Sequence, residues 1–329
     1  MKRTKKGILM LVLVAFALFI NGCATQDVDS KIEADTWPEK PITWNSIFTA
    51  GGMSDLSLRA LAEGVEKKLG VPIVVENIVG AAGAAGVNAI AKAEPDGYTF
   101  GLAVVSTNTV LPYFEDVGYD PAEDFEYISQ YVTVYQPVAV KADSPWDTWE
   151  DMISWAKNNP GKLKWSAASA KGAQAIATEA VFKEQGIEAT FVPFQGGAEC
   201  MAALLGGHVD ATIVAEYIGP LEAGEVRLLA ECGPVNIKGY EDVPTYKELG
   251  YPLHPMSFYG VAGPKGIPQD IVNKLNSAIK EVVESDDFYQ KMEKLNILPI
   301  HVGAEEFGNY VRGAYADMGE ELRKLGMIE

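Results

Sequence analysis

Residues 42–69 read ITWNSIFTAGGMSDLSLRALAEGVEKKL, and this stretch decides the fold. The apolar run Ile42–Phe48 has the length and the residue types of a buried strand. After the glycine turn, Leu58 and Leu61 recur at helical spacing, and Ser54 is a residue type that favours the N-cap position. The stretch therefore predicts a strand, a turn and a helix, which is the unit from which parallel α/β sheets are built.

The alternation of strands and helices continues along the chain. Further strands are predicted at Val71–Val75, Tyr98–Val104, Leu163–Ser166, Ala189–Val192 and Ala211–Ala215, and helices at Val87–Ala93, Trp149–Asn158, Ala173–Lys183 and Ala198–Leu205. Two such sets predict two lobes, each a mostly parallel sheet flanked by helices, with a ligand in the cleft between them. Two more helices, over residues 271–282 and 307–325, are expected to cover the first lobe.

The first 22 residues predict a lipoprotein signal peptide. Four cations at positions 2, 3, 5 and 6 precede an uncharged run of 14 residues from Gly7 to Ile20. A basic segment followed by an apolar segment is typical of a secretory signal. A membrane-spanning helix needs roughly 20 apolar residues, so this run is too short to cross a bilayer.

Cys23 is the predicted lipidation site. The segment Phe19–Cys23 (FINGC) resembles a bacterial lipobox, in which the cysteine is acylated and becomes the new N-terminus. The alternative is an ordinary secretory peptide with a chance cysteine. Residues 24–37 are polar and lack periodicity, so residues 23–37 are predicted to form a lipidated tether, with the fold beginning near Pro38.

The charge of the chain excludes one class of partner. The formal net charge is −18, and because residues 1–22 carry four cations and no acids, the remainder carries −22. Nucleic acid is not expected as a partner, since phosphate binding needs concentrated Lys and Arg. An acidic surface also repels anions at long range, so an anionic ligand has to be held by local groups. Cys200 and Cys232 are expected to be buried free thiols.

Nine short segments, in a fixed order, carry a resemblance to a known family. They are Trp37–Ile42 (WPEKPI), Gly51–Asp55 (GGMSD), Val75–Asn77 (VEN), Gly80–Gly83 (GAAG), Pro95–Phe100 (PDGYTF), Tyr119–Pro121 (YDP), Asn159–Lys162 (NPGK), Val192–Gly197 (VPFQGG) and Val243–Thr245 (VPT). On these segments the chain from residue 37 to residue 329 resembles the receptors of tripartite tricarboxylate transporters, also called the Bug family.

The resemblance implies a two-lobed periplasmic-binding-protein fold of the Venus-flytrap type. Its two hinge crossings are placed near Tyr135–Val140 and Ser257–Ala262. Lobe 1 then comprises residues 38–138 and 258–329, and lobe 2 comprises residues 139–257. The resemblance also implies a monomeric, extracytoplasmic receptor that binds a small carboxylate without cofactor or metal. Such a receptor delivers its ligand to a membrane permease of one large and one small subunit.

Four loops and their neighbours are predicted to hold the carboxylate. The first turn of a helix carries unpaired N–H groups and about half a positive charge, so it binds an anion without a cationic side chain. The predicted ligand-binding residues are Phe48, Gly51, Gly52, Met53, Ser54, Asp55, Ser106, Thr107, Asn108, Ser166, Ser169, Lys171, Gly172, Gln195, Gly196, Gly197 and Tyr217. Met53 stands where the family usually has glycine, which favours a ligand with an apolar part.

Several of these residues have an alternative interpretation. Asp55 either stabilises the start of its helix or accepts a hydrogen bond from a ligand amine or hydroxyl. Lys171 either neutralises a second ligand carboxylate or is a solvated side chain. The rings of Phe48 and Tyr217 pack either on the ligand or in the core.

An enzyme is not expected. The three histidines, His208, His254 and His301, are far apart in sequence and lack metal-ligand spacing, and the sequence has no Gly-x-Ser-x-Gly elbow. The remaining alternative from another class is a carboxylate-sensing receptor that docks on a signalling membrane protein. The residues do not distinguish this alternative from a transport receptor.

Overall fold

The structure is a computed structural model that describes residues 36–329 apart from residues 168, 195 and 296. The predicted signal peptide, the lipidation site Cys23, most of the predicted tether and the predicted ligand residue Gln195 lie outside the described residues. The described part contains two separate β-sheets, each flanked by helices. Within it, no helix has both the length and the apolar character that crossing a bilayer requires.

Lobe 1 is built on a six-stranded sheet. Its strands are β1 (Ile42–Ser46), β2 (Ile73–Asn77), β3 (Thr99–Val104), β4 (Phe125–Thr133), β10 (Phe258–Pro264) and β11 (Leu298–Gly303), in the order β11-β4-β10-β3-β1-β2. Its helices are α1 (Met53–Leu69), α2 (Ala84–Ala91), α7 (Gln269–Val283), α8 (Asp286–Glu293) and α9 (Ala304–Lys324). Strand β1 pairs in parallel with β2 and β3, whereas β10 is antiparallel to both β3 and β4. Strand β11 is antiparallel to β4.

Lobe 2 is built on a five-stranded sheet. Its strands are β5 (Pro137–Lys141), β6 (Leu163–Ala167), β7 (Ala189–Phe191), β8 (Ala211–Ile213) and β9 (Val226–Glu231), in the order β7-β6-β8-β5-β9. Its helices are α3 (Trp149–Asn158), α4 (Ala173–Glu184), α5 (Gly197–Leu205) and α6 (Ile218–Glu222). Strand β6 pairs in parallel with β7 and β8, and β5 is antiparallel to β8 and β9.

The predicted α/β fold with two lobes is confirmed, but both sheets are mixed instead of mostly parallel. The difference arises at the crossings between the lobes. The chain enters lobe 2 as β5 and returns to lobe 1 as β10, and each of these strands lies inside its sheet, antiparallel to both neighbours. A strand that follows a crossing has no helix to reverse the chain direction before it, so it is free to pair antiparallel.

The two crossings lie side by side. The first joins β4 to β5 through residues 134–136, and the second ends at Ser257, directly before β10. The N–H group of Val134 donates to the carbonyl of Ser257 at 3.0 Å, and the Thr133 hydroxyl donates to the same carbonyl at 2.9 Å. The crossings therefore form one hydrogen-bonded connection between the lobes.

Helix α1 begins at a different residue from the one predicted. The N-cap is Gly52 in extended backbone, with no side-chain hydrogen bond to the cap, and the predicted N-cap Ser54 lies buried inside the first turn. The N–H group of Leu56 closes the first turn on the carbonyl of Gly52 at 2.9 Å. The prediction that Ser54 caps the helix is therefore wrong, because the helix starts earlier and leaves its cap position without a side chain.

Two of the recognised segments, Trp37–Ile42 and Pro95–Phe100, contact each other in lobe 1. The indole N–H of Trp37 donates to the carbonyl of Gly97 at 2.9 Å, and the Lys40 ammonium lies 4.1 Å from the centroid of the Tyr98 ring. Trp37 is buried, and Lys274 on α7 donates to its carbonyl at 2.6 Å. Trp37, which the sequence analysis assigned to the tether, therefore packs as part of lobe 1.

The two C-terminal amphipathic helices cover the sheet of lobe 1. Helix α7 packs against α1 and β4 with a buried stripe that includes Ile271 and Leu275, and α9 packs against β4 with Phe307 and Val311. Gly260 on β10 leaves room for the Phe307 ring, because a Cβ at that position would lie 2.3 Å from the ring. Neither helix starts a third domain.

Candidate functional site

A cavity of about 190 Å³ lies between the lobes. Lobe 1, lobe 2 and the crossings all contribute to its lining, which consists of Phe48, Val104, Val105, Ser106, Gln136, Ala167, Ser169, Gly172, Ala173, Gln174, Ala175, Ser257 and Tyr259. Tyr259 and Val104 are direct partners across the β10–β3 ladder, which explains why two distant parts of the chain share the cavity. Four predicted residues are among the lining residues, namely Phe48, Ser106, Ser169 and Gly172.

The cavity offers uncharged polar groups and no cation among these lining residues. The Gln136 side-chain amide donates to the hydroxyl of Ser257 at 3.2 Å, which joins the two crossings at the cavity wall. Burial, and secondly the negative charge of Glu216, raise the pKa of Tyr259 to about 12, so its hydroxyl stays protonated. The wall therefore presents amide and hydroxyl donors, together with the apolar faces of Phe48, Val104 and Val105.

The start of helix α4 faces this cavity. Its N-cap Gly172 has extended backbone without a side-chain cap, the first turn contains no acidic residue, and residues 172–175 all line the cavity. The N–H group of Ile176 closes the first turn on the carbonyl of Gly172 at 3.0 Å. The N–H groups before it have no partner within the helix and carry the positive end of the helix dipole. This helix start is able to accept an anion.

The first turn of helix α1 carries a buried carboxylate of the protein. Asp55 is 1% exposed and accepts from the N–H of Gly51 at 2.9 Å, from Arg59 at 3.0 Å and from Asn77 at 2.8 Å. Burial acts to raise the pKa of Asp55, but these hydrogen bonds outweigh it and lower the pKa to about 2. The contacts match the structural interpretation of Asp55, which shapes the loop at residues 51–55 next to Phe48.

The start of helix α5 is likewise next to a carboxylate of the protein. A Cβ at Gly197 would lie 1.9 Å from Oε2 of Glu216, so the glycine makes room for that side chain. Gly196, in extended backbone, is the N-cap. The space that Gly197 leaves is therefore filled by the carboxylate of Glu216, which was not among the predicted site residues.

Five other predicted residues are turned away from the cavity. Thr107 and Asn108 are fully buried and hydrogen-bonded to each other at 3.0 Å, and the hydroxyl of Ser166 bonds to that of Thr212 at 2.9 Å. The Lys171 ammonium lies 3.5 Å from a carboxylate oxygen of Glu115 and 5.1 Å from the Phe114 ring centroid, which links the lobes at the surface. Tyr217, the fifth residue, lines a different pocket.

This second pocket, of about 240 Å³, lies behind the crossings. Tyr135, Tyr217 and Lys238 line it from one side, and Tyr289 of α8 and residues 297–299 line it from lobe 1. The Lys238 ammonium donates to the Tyr289 hydroxyl at 2.9 Å. Because the strand order is β11-β4-β10-β3, the pocket beside β11 and the cavity beside β3 lie on opposite sides of the β4–β10 pair.

Glu231 is a buried carboxyl group that holds the two crossings together. Its Oε1 accepts from the N–H of Gln136 and from the N–H of Gly233, each at 3.2 Å, while its Oε2 has no hydrogen-bond partner. Burial raises the pKa of Glu231 to about 8, and the two N–H donors only partly oppose that effect. Glu231 is therefore mainly protonated at neutral pH and becomes charged above it.

Sequence reasoning missed several lining residues. Val104 and Val105 look like ordinary strand residues, and Gln174 and Ala175 look like ordinary helix residues, so their types carry no signal. Gln136, Ser257 and Tyr259 could have been predicted from their positions. All three lie inside the predicted hinge crossings, and residues at a hinge border the cleft that the hinge closes.

The described residues contain no group of three or more His, Cys, Asp or Glu side chains that could hold a metal ion. Cys200 and Cys232 are buried free thiols, in agreement with the expectation. Burial is the main cause that raises the pKa of each thiol, so neither has the character of an activated nucleophile.

Comparison with protein families matches residues 57–327 of the chain to the tripartite tricarboxylate transporter family receptor (TctC). A UPF0065 protein of Cupriavidus necator, from the gbd 5′ region, is 32% identical over 91% of this chain and 92% of its own length. BugT of Bordetella pertussis is 30% identical over 96% of each chain.

Solved structures agree with these matches. A TctC solute-binding protein from Polaromonas superposes with a TM-score of 0.80 at 29% identity, over 88% of this chain and 100% of its own. The R. palustris protein Rpa4515, solved with adipate, superposes with a TM-score of 0.72 at 28% identity, over 88% of this chain and 98% of its own.

Proposed function

The chain belongs to the tripartite tricarboxylate transporter receptors, also called the Bug family, and from this premise we propose that it captures a small carboxylate in the cavity between its lobes and delivers it to a two-subunit membrane permease. Members of the family are extracytoplasmic solute-binding receptors, and the chain is not an enzyme. Rpa4515 with bound adipate shows a carboxylate on a related chain.

The open start of helix α4 is the observation that carries the proposal. It contributes four consecutive residues to the cavity and has no acid in its first turn. A ligand carboxylate there would meet N–H groups, with Ser169 and Ser106 hydroxyls on either side of the cleft. A receptor with an acidic surface needs such a local site, because its net charge opposes anions at long range. The other predicted loops, at residues 51–55, 106–108 and 196–197, are proposed to surround the bound ligand.

The purified protein is expected to release a small carboxylic acid. A tight receptor keeps its ligand through purification, so native mass spectrometry should show a bound mass that disappears on denaturation. The recovered acid, at 100 times its dissociation constant, should raise the free energy of unfolding by about 2.7 kcal/mol. The measurement is the melting temperature with and without that acid. A released compound without a carboxyl group, or no melting shift with mono- and dicarboxylates at millimolar concentration, would contradict the proposal.

Lipidation at Cys23 is a second part of the proposal. Two or more acyl chains hold a protein firmly to a bilayer, so an acylated Cys23 keeps the receptor beside its permease. Cys23→Ala is therefore expected to move the receptor from the membrane fraction to the soluble fraction, with unchanged melting. Cys200→Ala is the matched control, because that buried thiol belongs to α5 and its loss leaves the fractionation unchanged. Retention of Cys23→Ala in the membrane fraction would rule out the anchor.

Delivery to a permease distinguishes transport from sensing. In the transport role, cells lacking the permease and cells lacking the receptor lose uptake of the same acid. In the sensing role, loss of the receptor abolishes a transcriptional response to the acid and leaves its uptake intact. Uptake of the radiolabelled acid in the two deletion strains is the deciding measurement.

A further inference from the structure

Gln174 is a buried amide side chain in the first turn of helix α4, and it lines the cavity between the lobes. The residue is 4% exposed, so its side chain is enclosed by the protein and does not extend into open solvent. The turn that contains it, at residues 172–175, is the helix start proposed to hold the ligand carboxylate. Gln174 therefore lies next to the proposed position of the anion.

The contact of its amide nitrogen fixes the orientation of the Gln174 side chain. Nε2 donates to the carbonyl of Pro255 at 3.5 Å, in the segment that leads to the second crossing. The reverse orientation would place the amide oxygen against that carbonyl oxygen, and two acceptors do not form a hydrogen bond. The amide oxygen, Oε1, is therefore the group that Gln174 offers to a ligand. Within the part of the chain that the structure describes, no group donates to this oxygen.

The acceptor of Gln174 differs from the other polar groups of the cavity wall. The hydroxyl groups of Ser106, Ser169 and Tyr259 are able to donate or to accept, so each suits a ligand acceptor as well as a ligand donor. An amide oxygen accepts and never donates, so it gains nothing from a carboxylate. A ligand that covers this oxygen without bonding to it leaves a buried acceptor unpaired, which weakens binding.

From this geometry we propose that Gln174 selects a ligand with a hydroxyl group close to its carboxylate, so that the receptor prefers a hydroxycarboxylate over the plain acid of the same length. The inference rests on the proposed function, since it places the ligand carboxylate at the start of α4. A hydroxyl on the carbon next to the carboxylate supplies the donor that Oε1 lacks. The described lining residues are all uncharged, which favours this neutral donor over an ammonium group that would be buried without a counter-ion.

The expected preference is about tenfold, which corresponds to one hydrogen bond made instead of one buried acceptor left unpaired. Calorimetric titration of the wild-type protein with matched acids measures it. The pairs are propionate with lactate, butanoate with 2-hydroxybutanoate, and 3-phenylpropionate with 3-phenyllactate, since each pair differs by one hydroxyl. The 2-methoxy acids of the same lengths keep the oxygen but cannot donate, so they should bind no more tightly than the plain acids.

Gln174→Met tests the residue itself, because methionine has a similar length and shape but lacks the amide oxygen. The variant should reduce the preference for the hydroxy acid to less than threefold in every pair that binds. Gln185→Met is the matched control, since Gln185 lies at the other end of α4, where its amide oxygen accepts from Lys157 at 2.7 Å. This control should keep the wild-type ratio. The ligand-free melting temperature of each variant shows whether it folds, and the wild-type titrations with the methoxy acids test the donor without any substitution.

The outcomes separate the inference from the proposed function. If wild-type protein binds a plain acid or a methoxy acid as tightly as the hydroxy acid, the cavity does not select a donor and the inference is overturned. An unchanged ratio in Gln174→Met overturns it as well, because another group would then make the contact. Tighter binding of alanine than of lactate would replace the hydroxyl by an ammonium group and contradict the proposed ligand class. If no acid of any kind binds the wild-type protein, the proposed function itself fails.

Discussion

Glu231→Gln is expected to be more stable than wild type at alkaline pH. The free energy of unfolding of the variant should exceed that of wild type by roughly 4–5 kcal/mol more at alkaline pH than it does at pH 4.5. Folding raises the pKa of Glu231 from 4.5 to about 8. Between these values the folded state holds a proton that the unfolded state has lost, so rising pH favours unfolding by up to 1.36 kcal/mol per pH unit. Gln keeps the shape and the acceptor for Gln136 and Gly233 but cannot ionise.

The measurement is denaturant unfolding of both proteins at pH 5, 7 and 9. The neighbouring groups do not obscure the result, because burial is the main cause that raises the pKa values of Tyr135, Tyr217 and Cys232, which therefore stay neutral over this range. The two stability curves should lie close together near pH 5, diverge between pH 5 and about 8, and run parallel at higher pH. Parallel curves over the whole range would show that Glu231 is ionised in the folded protein, or that its charge is compensated.

Ser169→Asp is expected to lower the affinity for the bound acid by about 10- to 150-fold. Ser169 is exposed, lines the cavity, and precedes α4 by a loop in which its carbonyl accepts from the N–H of Gly172 at 3.1 Å. A carboxylate there would lie about 5 Å from the ligand anion, where like charges repel by roughly 1.5–3 kcal/mol. It would also occupy the donors at the helix start that the ligand uses.

Ser169→Asn is the matched control, because it has nearly the same shape without the charge and should retain affinity within about threefold. In Ser169→Asp the new carboxylate lies near a helix start, where such charges stabilise helices by about 0.3–1 kcal/mol. The melting temperature of this variant without ligand should therefore be equal to or above that of wild type. Calorimetric titration with the acid recovered from wild type gives the affinities. Equal weakening by Asp and Asn would indicate a steric effect, and unchanged binding by both would place the carboxylate elsewhere.

The recognised segments predicted the fold well because they form its internal contacts. Asn77 donates to Asp55 at 2.8 Å and to the carbonyl of Phe48 at 2.9 Å, so two segments that are separate in sequence together fix the loop between β1 and α1. Trp37 and Gly97 are joined in the same way. Residues with such roles are easy to recognise in a sequence, but they describe how the loops are supported and not what the loops bind.

The pairing direction of the strands could not be predicted from the sequence. Strand β4 is buried along nearly its whole length and β10 likewise, so neither shows the alternation that marks a strand with one solvent-facing side. Whether such a strand lies parallel or antiparallel depends on where the chain enters the sheet, which is a property of the crossings. The mixed sheets therefore became visible only with the three-dimensional structure.

The sequence predicted where helices begin, but it could not show which helix start faces the cavity. Sequence spacing placed Gly52, Gly172 and Gly197 before helices, and the structure has helices beginning next to all three. Which of these starts is open depends on side chains that arrive from elsewhere, such as Glu216, which lies 19 residues after Gly197 along the chain. Small residues mark possible anion sites, and the tertiary neighbours decide which of them remains available.

The pocket behind the crossings holds a contact between the lobes that lies apart from the ligand cavity, because Lys238 of lobe 2 donates to Tyr289 of lobe 1 on the other side of the β4–β10 pair. A contact that is stronger in one arrangement of the lobes than in another shifts the balance between them, so we expect a change at Lys238 or Tyr289 to alter the affinity for every acid by one common factor. Substitutions in the cavity instead change which acid is preferred. Binding strength and selectivity therefore have separate locations in this molecule, and each can change in evolution while the other is conserved.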